Sequence, residues 1–400
     1  MNVLFLTLLD FDSIEEHNIY TDLLREFRCN GHKLYVISSV ERRKRAETHL
    51  IKNDGVNILK LKIGNMQKTN ILEKGISTVL IETIFVRGIK KYFSNIKFDL
   101  VLYSTPPITL ENVVKYVKKR DNAITYLMLK DIFPQNAVDL GMLSKTGLRG
   151  MLYRYFRNKE KKLYRISDKI GCMSYANIEY VKRHNPEVDT SKIELCPNCI
   201  EIQDVSITDE EKRRLRNRYS IPLDKKTFVY GGNLGKPQGI DFLIECLKSQ
   251  LDNSNVFFLI VGNGTEFGKL QKFFYDYKPI NMKLMKSMPK DEYDKMIAAC
   301  DVGMIFLDHR FTIPNFPSRL LSYMQAGLPV LACTDKNTDV GKVIVEGEFG
   351  WWCESNNLSG FTEIIHSLNE QNVQAEKVRV YLKSHYSASE VYEAINKCMC

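Results

Sequence analysis

Residues 228–248, FVYGGNLGKPQGIDFLIECLK, run from an apolar strand through Gly231, Gly232, Gly235 and Gly239 into an amphipathic helix. Glycines let a backbone approach a bulky anion, and the helix that follows offers free N–H groups and a partial positive charge. The loop reads as a diphosphate cradle, with Lys236 as a cation beside it, and it is neither a Walker loop nor GxGxxG. A second turn, VGNG at 261–264, follows the strand VFFLI; a structural role and a ligand contact from Gly262 and Asn263 are both open. In residues 313–335, IPNFPSRLLSYMQAGLPVLACTD, Pro317 fits a first helical position and Gly327 a helix stop. Ser318 and Arg319 then lie in the first turn. An Arg there opposes the helix dipole unless an anion binds between them, so Arg319 reads as a phosphate ligand.

The elements that must carry these loops are short β-rich runs, each followed by an amphipathic stretch: NVLFLTLL, KLYVISSV, FDLVLYS, AITYLMLK and KIGCMS, then, past a boundary near residues 200–206 and the charged segment SITDEEKRRLRNRYSIPLDKKT, FVYGGN, VFFLIVGNG, DVGMIFL and PVLAC. Alternation of this kind marks parallel sheets covered by helices, and its restart marks a second domain. Domains are expected at 1–203 and 204–400, the latter ending in a terminal helix over SASEVYEAINKCMC that opens at Ser387 or Ser389. Four hundred residues with 44% apolar and 26% charged content suit two globular cores and exclude a small module or a disordered chain.

The net charge of +9 is uneven: up to Ile200 there are 33 Lys and Arg against 22 Asp and Glu, beyond it 24 against 26. Two segments of the basic half break the βα rhythm. Residues 71–93 are apolar at Ile76, Val79, Leu80, Ile84, Ile89 and Phe93; residues 145–165 set Leu148, Met151, Leu152, Tyr155 and Phe156 among many cations. Basic amphipathic helices with aromatics can lie in a membrane interface, and surface helices packed on their own sheet look similar. No nucleic-acid motif accompanies the charge, so nucleic acid is not expected as a partner. The start MNVLFLTLLDFD reads as a first strand, no apolar stretch reaches a membrane span, and the ten scattered Cys suit a reducing cytoplasm. Cys196-Pro-Asn-Cys199 lacks the partners of a zinc site, and Asp10-Phe-Asp12 follows the first strand, so no metal is expected.

Taken together, YGGNLGKPQGIDFLIE, LIVGNG, DEYDKMIAACDVGMIFL, NFPSRLLSYMQAGLPVLACTD, DIFPQNAVDLGML and CMSYANIEYVKRHNP resemble glycosyltransferase family 4, retaining enzymes of the GT-B fold, in the branch that builds capsule and O-antigen units. The resemblance implies an α/β fold of two Rossmann-like domains facing across a cleft, with the C-terminal helix returning towards the first. It implies that a nucleotide sugar binds mainly the second domain while the acceptor enters from the first. Lys236 and Arg319 would hold the donor diphosphate; Asn233 and Gln238 stand where Arg and Lys are common in the family, and Pro314 and Ser322 where it has two glutamates. Ser322 can still meet a ribose. It also strengthens the membrane reading of residues 71–93 and 145–165.

A same-face substitution in which the leaving diphosphate helps deprotonate the acceptor needs cations and amides more than a nucleophile, and no cofactor or metal. Asp131 in LKDIFP, at a strand's carboxyl end, is the expected acid, base or acceptor-orienting group, a helix cap being its other reading; Thr105 in YSTPP and His17 are acceptor-side candidates. The expected function is transfer of a sugar from a UDP-sugar to a polyprenyl-diphosphate-linked acceptor by a cytoplasmic enzyme attached peripherally to the anionic inner face of the bacterial membrane. A plain hexose and a deoxy N-acetyl sugar are both open as the group moved. The competing readings are a nucleotide-sugar epimerase of the same fold and a catalytically degenerate partner in a polysaccharide assembly.

Overall fold

The computed structural model describes residues 1–65, 71–368 and 373–399, the side chains of 71–79 excepted. The chain divides into two compact units, 1–201 with 388–400, and 202–387. The last thirteen residues thus belong to the first unit, and the division falls just ahead of the boundary expected from composition.

The first unit holds β1 (Asn2–Leu6), β2 (Lys33–Glu41), β3 (His49–Asn53), β4 (Val56–Ile63), β5 (Leu100–Thr105), β6 (Ile124–Leu129), β7 (Lys169–Cys172) and β8 (Ile193–Leu195). They form one sheet in the order β3-β4-β2-β1-β5-β6-β7-β8, parallel except where β3 meets β4. The apolar runs become buried strands because helices cover both faces: Val3, Leu4, Phe5 and Leu6 have almost no exposure. The first helix, Thr21–Cys29, stops where Gly31 takes φ +79° and the His32 N–H reaches the Phe27 carbonyl. From β1 the chain moves to one side for β2 and to the other for β5, which makes the β1/β5 border the switch point where open α/β sheets bind ligands. The terminal helix Ala388–Lys397 closes this unit: Tyr392 meets the edge of Phe27 at 4.9 Å and its hydroxyl lies 2.9 Å from His32 Nε2.

The second unit holds β9 (Lys226–Asn233), β10 (Val256–Asn263), β11 (Met282–Met285), β12 (Val302–Phe306), β13 (Val330–Thr334) and β14 (Gly350–Glu354). All run parallel in the order β11-β10-β9-β12-β13-β14, so its switch point lies between β9 and β12. The glycine loop leaves the end of β9, and the helix Arg319–Gln325 enters from the connection after β12.

The two basic amphipathic segments resolve differently. Helix Ile71–Tyr92 lays Ile81, Phe85 and Ile89 in the core, with Phe93 just beyond it, and Gly88 runs close against Leu61. In its described half this helix covers the sheet, its apolar stripe packing on β4; of its large apolar side chains there only Leu80 stands exposed, and the side chains of Ile76 and Val79 lie outside the described residues. Helix Gly147–Ile166 divides in two: Leu163 and Tyr164 are buried, whereas Leu148 is 82% exposed and Met151, Leu152 and Tyr155 are exposed with it. No helix among the described residues is long and apolar enough to cross a membrane.

Candidate functional site

At the end of β9, Gly231 and Gly232 are required by what presses on them. A Cβ on Gly231 would collide with the Tyr293 hydroxyl, and Gly232 has φ +116°, where only glycine is unstrained. A Cβ on Gly232 would lie 3.6 Å from Arg319 Nη2, so the guanidinium sits directly against this turn. Gly231 N–H donates to the Tyr323 hydroxyl (3.1 Å), which donates to the Met304 carbonyl (3.2 Å) and so ties the loop to β12.

Arg319 is held from two sides. Its guanidinium carbon lies 4.4 Å over the Tyr230 ring, and Nη2 donates to Gln238 Oε1 at 2.8 Å. The Tyr230 hydroxyl in turn donates to the Asn233 carbonyl (3.0 Å) and to Gln238 Oε1 (3.3 Å). Gln238 therefore fixes the cation. Nη1 is buried with no hydrogen-bond partner among the described residues, and a buried donor left unpaired costs about 1–3 kcal/mol. An anion at the Gly232 turn would satisfy it.

The neighbouring candidates fall around this centre. Lys236 begins a short 3-10 turn, is exposed, and has no ion pair among the described residues. Asn233 is exposed at the strand end and Gly235 lies beside its amide, 3.2 Å from a built Cβ. Ser318 is exposed ahead of the Arg319 helix, and its side chain makes no cap bond. Ser322, one turn on, lies 3.4 Å from Lys290 Nζ. Asn263 donates to the Ser287 hydroxyl at 2.6 Å, while Gly262 allows β10 to run close beside the Gly232 carbonyl, which makes its evident role a packing one. Pro314 is buried and has no polar side chain to offer.

Sequence reasoning missed the tyrosines and the helix Lys290–Ala298. Tyr230, Tyr293 and Tyr323 surround Arg319 and the glycine turn, and Lys290 and Tyr293 reach the site from the first turn of that helix. The segment DEYDKMIAACDV carries Tyr293, with Lys290 just ahead of it, but nothing in its spacing marks Tyr293 as the residue facing Gly231.

The carboxyl end of the first sheet is arranged otherwise. Asp131 follows β6, its two carboxylate oxygens each accept from Asn136 Nδ2 at 2.8 Å, and burial raises its carboxyl to about 6. It is neither fully charged nor fully neutral near pH 6, a useful state for moving a proton. Thr105 Oγ1 donates to the Asp131 carbonyl (3.1 Å) and accepts from the Lys130 and Asp131 N–H groups. With 1% exposure it positions Asp131 and is not itself open to an acceptor, which corrects its expected place on the acceptor side. His17, Asp22 and Glu201 cluster as metal ligands would, but the Arg25 guanidinium lies among them, 2.9 Å from His17 Nδ1, 2.6 Å from Asp22 and 2.7 Å from Glu201. Asp10 and Asp12 likewise face a cation of the chain, Lys60, whose Nζ pairs with Asp10 and lies 2.8 Å from Asp12.

Two parallel α/β units in one chain, with the terminal helix returning to the first, define the GT-B fold. The chain aligns with a solved Escherichia coli structure described as "Trehalose-6-phosphate from E. coli bound with UDP-2-fluoro glucose" at a TM-score of 0.74, with 8% identity over 100% of this chain and 99% of that one. Residues 211–385 match the family model for glycosyl transferases group 1, a span that includes the whole glycine loop and Arg319. Among curated proteins the chain is similar to the "Probable glycosyltransferase WbjE" of Pseudomonas aeruginosa, 22% identical over 84% of this chain and 83% of the relative. It is also similar to the "Putative colanic acid biosynthesis glycosyl transferase WcaI" of Escherichia coli (strain K12), 22% identical over 62% and 60%. The chain is a glycosyltransferase.

Proposed function

We propose that this glycosyltransferase moves a sugar, with retention, from a UDP-sugar to a saccharide carried on a polyprenyl diphosphate, in the building of a capsule or O-antigen at the inner face of a bacterial membrane. The observation that carries the donor half is the buried, unpartnered Nη1 of Arg319 set against the Gly232 turn at the second unit's switch point. Arg319, Lys236 and the loop amides would take the diphosphate and stabilise it as it leaves, so the reading needs no metal. In the transfer the bond from the sugar C1 to the diphosphate oxygen breaks, the acceptor oxygen bonds C1 on the same face, and the acceptor proton passes to the departing phosphate oxygen. Asp131 would orient the acceptor hydroxyl. UDP as the nucleotide is supported by the UDP-sugar in the Escherichia coli structure, and a polysaccharide setting by the name of the colanic acid relative.

The acceptor half draws on helix Gly147–Ile166, where Leu148, Met151, Leu152 and Tyr155 stand exposed among exposed Lys145, Arg149 and Arg154. An apolar face rimmed by cations fits the boundary of an anionic bilayer.

Thermal unfolding with UDP, GDP and ADP in parallel tests the donor site, since a ligand that binds only the folded chain raises the midpoint. We expect a shift with UDP alone, lost in Arg319→Ala, and transfer from UDP-sugars only when polyprenyl-linked saccharide is present. No shift with any nucleotide overturns the reading.

A further inference from the structure

Among the buried polar atoms of the second unit without partners among the described residues are Arg319 Nη1 and the Tyr293 hydroxyl, on side chains that press on the Gly231–Gly232 turn, and Asp294 Oδ1. Such atoms are rare in folded proteins, and each one calls for a reason. Tyr293 is placed against Gly231, and its neighbour Asp294 lies on the same short helix, Lys290–Ala298. Lys290 Nζ joins that helix to the Arg319 helix, because it pairs with Asp294 Oδ2 and lies 3.4 Å from Ser322 Oγ. Ser322 stands three residues beyond Arg319, about 5 Å along the helix axis. A single methylene separates the α-phosphate of a nucleoside diphosphate from its ribose, so a nucleotide held by its phosphates at Arg319 carries its hydroxyl pair over a comparable step.

The chemistry of the three atoms differs. The arginine N–H is a pure donor and the tyrosine hydroxyl can donate, which suits phosphate oxygens; the carboxylate oxygen only accepts, which suits sugar hydroxyls. We infer that Asp294 is a specificity-determining residue for the donor, its carboxylate accepting from the ribose hydroxyls of the nucleotide, with Lys290, itself 3.4 Å from Ser322 Oγ, holding it in place. This rests on the donor reading above and extends it. Asp294 and Lys290 are both partly exposed, at 31% and 41% of their side chains, so the lysine can yield the carboxylate to an entering sugar.

Calorimetric titration of the full chain with UDP and with 2′,3′-dideoxy-UDP tests the inference. The unmodified chain should bind UDP roughly 10- to 100-fold more tightly than the dideoxy compound, the discrimination expected of hydrogen bonds to a charged acceptor. Asp294→Ala should weaken UDP by that factor, leave dideoxy-UDP unchanged, and so erase the preference. The unchanged dideoxy affinity also shows that the variant is folded, and Asp294→Glu should keep part of the preference. A preference that survives Asp294→Ala, or one lost instead in Ser322→Ala alone, overturns the inference while leaving the donor site intact. Failure of the unmodified chain to bind either compound overturns the donor reading and this inference together.

Discussion

At the carboxyl end of the first sheet the charged groups have found partners within the unit: Arg25 with Asp22 and Glu201, Lys60 with Asp10 and Asp12, and Asp131 with Asn136, whose own Oδ1 is the neutral atom left without one among the described residues. At the carboxyl end of the second sheet Arg319, Tyr293 and Asp294 each keep a buried polar atom without one. A closed polar network holds its own geometry and costs nothing further, whereas an open one carries a penalty that a ligand of complementary chemistry removes. On the donor reading proposed above, the second unit is prepared for a small polyanionic molecule before that molecule arrives. The first contributes the raised carboxyl of Asp131 and an exposed apolar face.

The strongest way to break this contrast is Arg319→Ala. Transfer should fall on the order of 100- to 1,000-fold and the UDP-induced thermal shift should vanish, while the midpoint without nucleotide stays near that of the unmodified chain. A variant that keeps the shift shows that the unpaired donor is not the anion site. Gly231→Ala comes next. Its methyl must displace Tyr293, at a cost of about 1–3 kcal/mol by urea unfolding, and adding Tyr293→Ala should recover part of that loss.

The first unit is probed by Asp131→Asn. Folding raises this carboxyl from 3.8 to about 6, so the folded chain binds the proton more tightly than the unfolded one. Ionisation consequently lowers stability as pH climbs from about 4 to about 6, and the deficit is constant above that. Relative to the unmodified chain, the variant should gain about 2–3 kcal/mol between pH 4 and pH 7.5, roughly two pKa units at 1.36 kcal/mol each. Asp335, which burial also raises to about 6, titrates in the same window in both chains and cancels in the difference. A flat difference across this range removes the altered acidity from the comparison. Least disturbing to the fold is Leu148→Glu with Met151→Glu, expected to change stability by no more than about 0.5 kcal/mol yet to abolish sedimentation with anionic vesicles. Undiminished vesicle binding would mean that this exposed face is not what meets the bilayer.

The α/β architecture was legible because parallel strands bury both faces and so read as continuous apolar runs, and helices stop where Gly31 and Gly327 demand positive φ. Gly231, Gly232 and Arg319 were legible because their chemistry is local: backbone freedom in one turn, an unfavourable charge in another. Tyr293 and Asp294 were not, since they reach the site through packing some sixty residues along the chain from the glycine loop, and an ordinary helix carries no sign of which face it will turn inward. The same blindness applies to Thr105, whose hydroxyl is spent on the backbone of Asp131, and to the helix ending at Tyr92, whose described apolar residues Ile81, Phe85 and Ile89 pack into the core.

The docking of Ala388–Lys397 onto Phe27 and His32 sets an order of events during synthesis. The first unit emerges from the ribosome early but lacks its closing piece, because the whole of 202–387 is inserted ahead of it. Until residues 388–397 have been made, Phe27 and the residues around it wait uncovered, and a chain broken off before Ala388 would leave the first unit without the helix that packs on them.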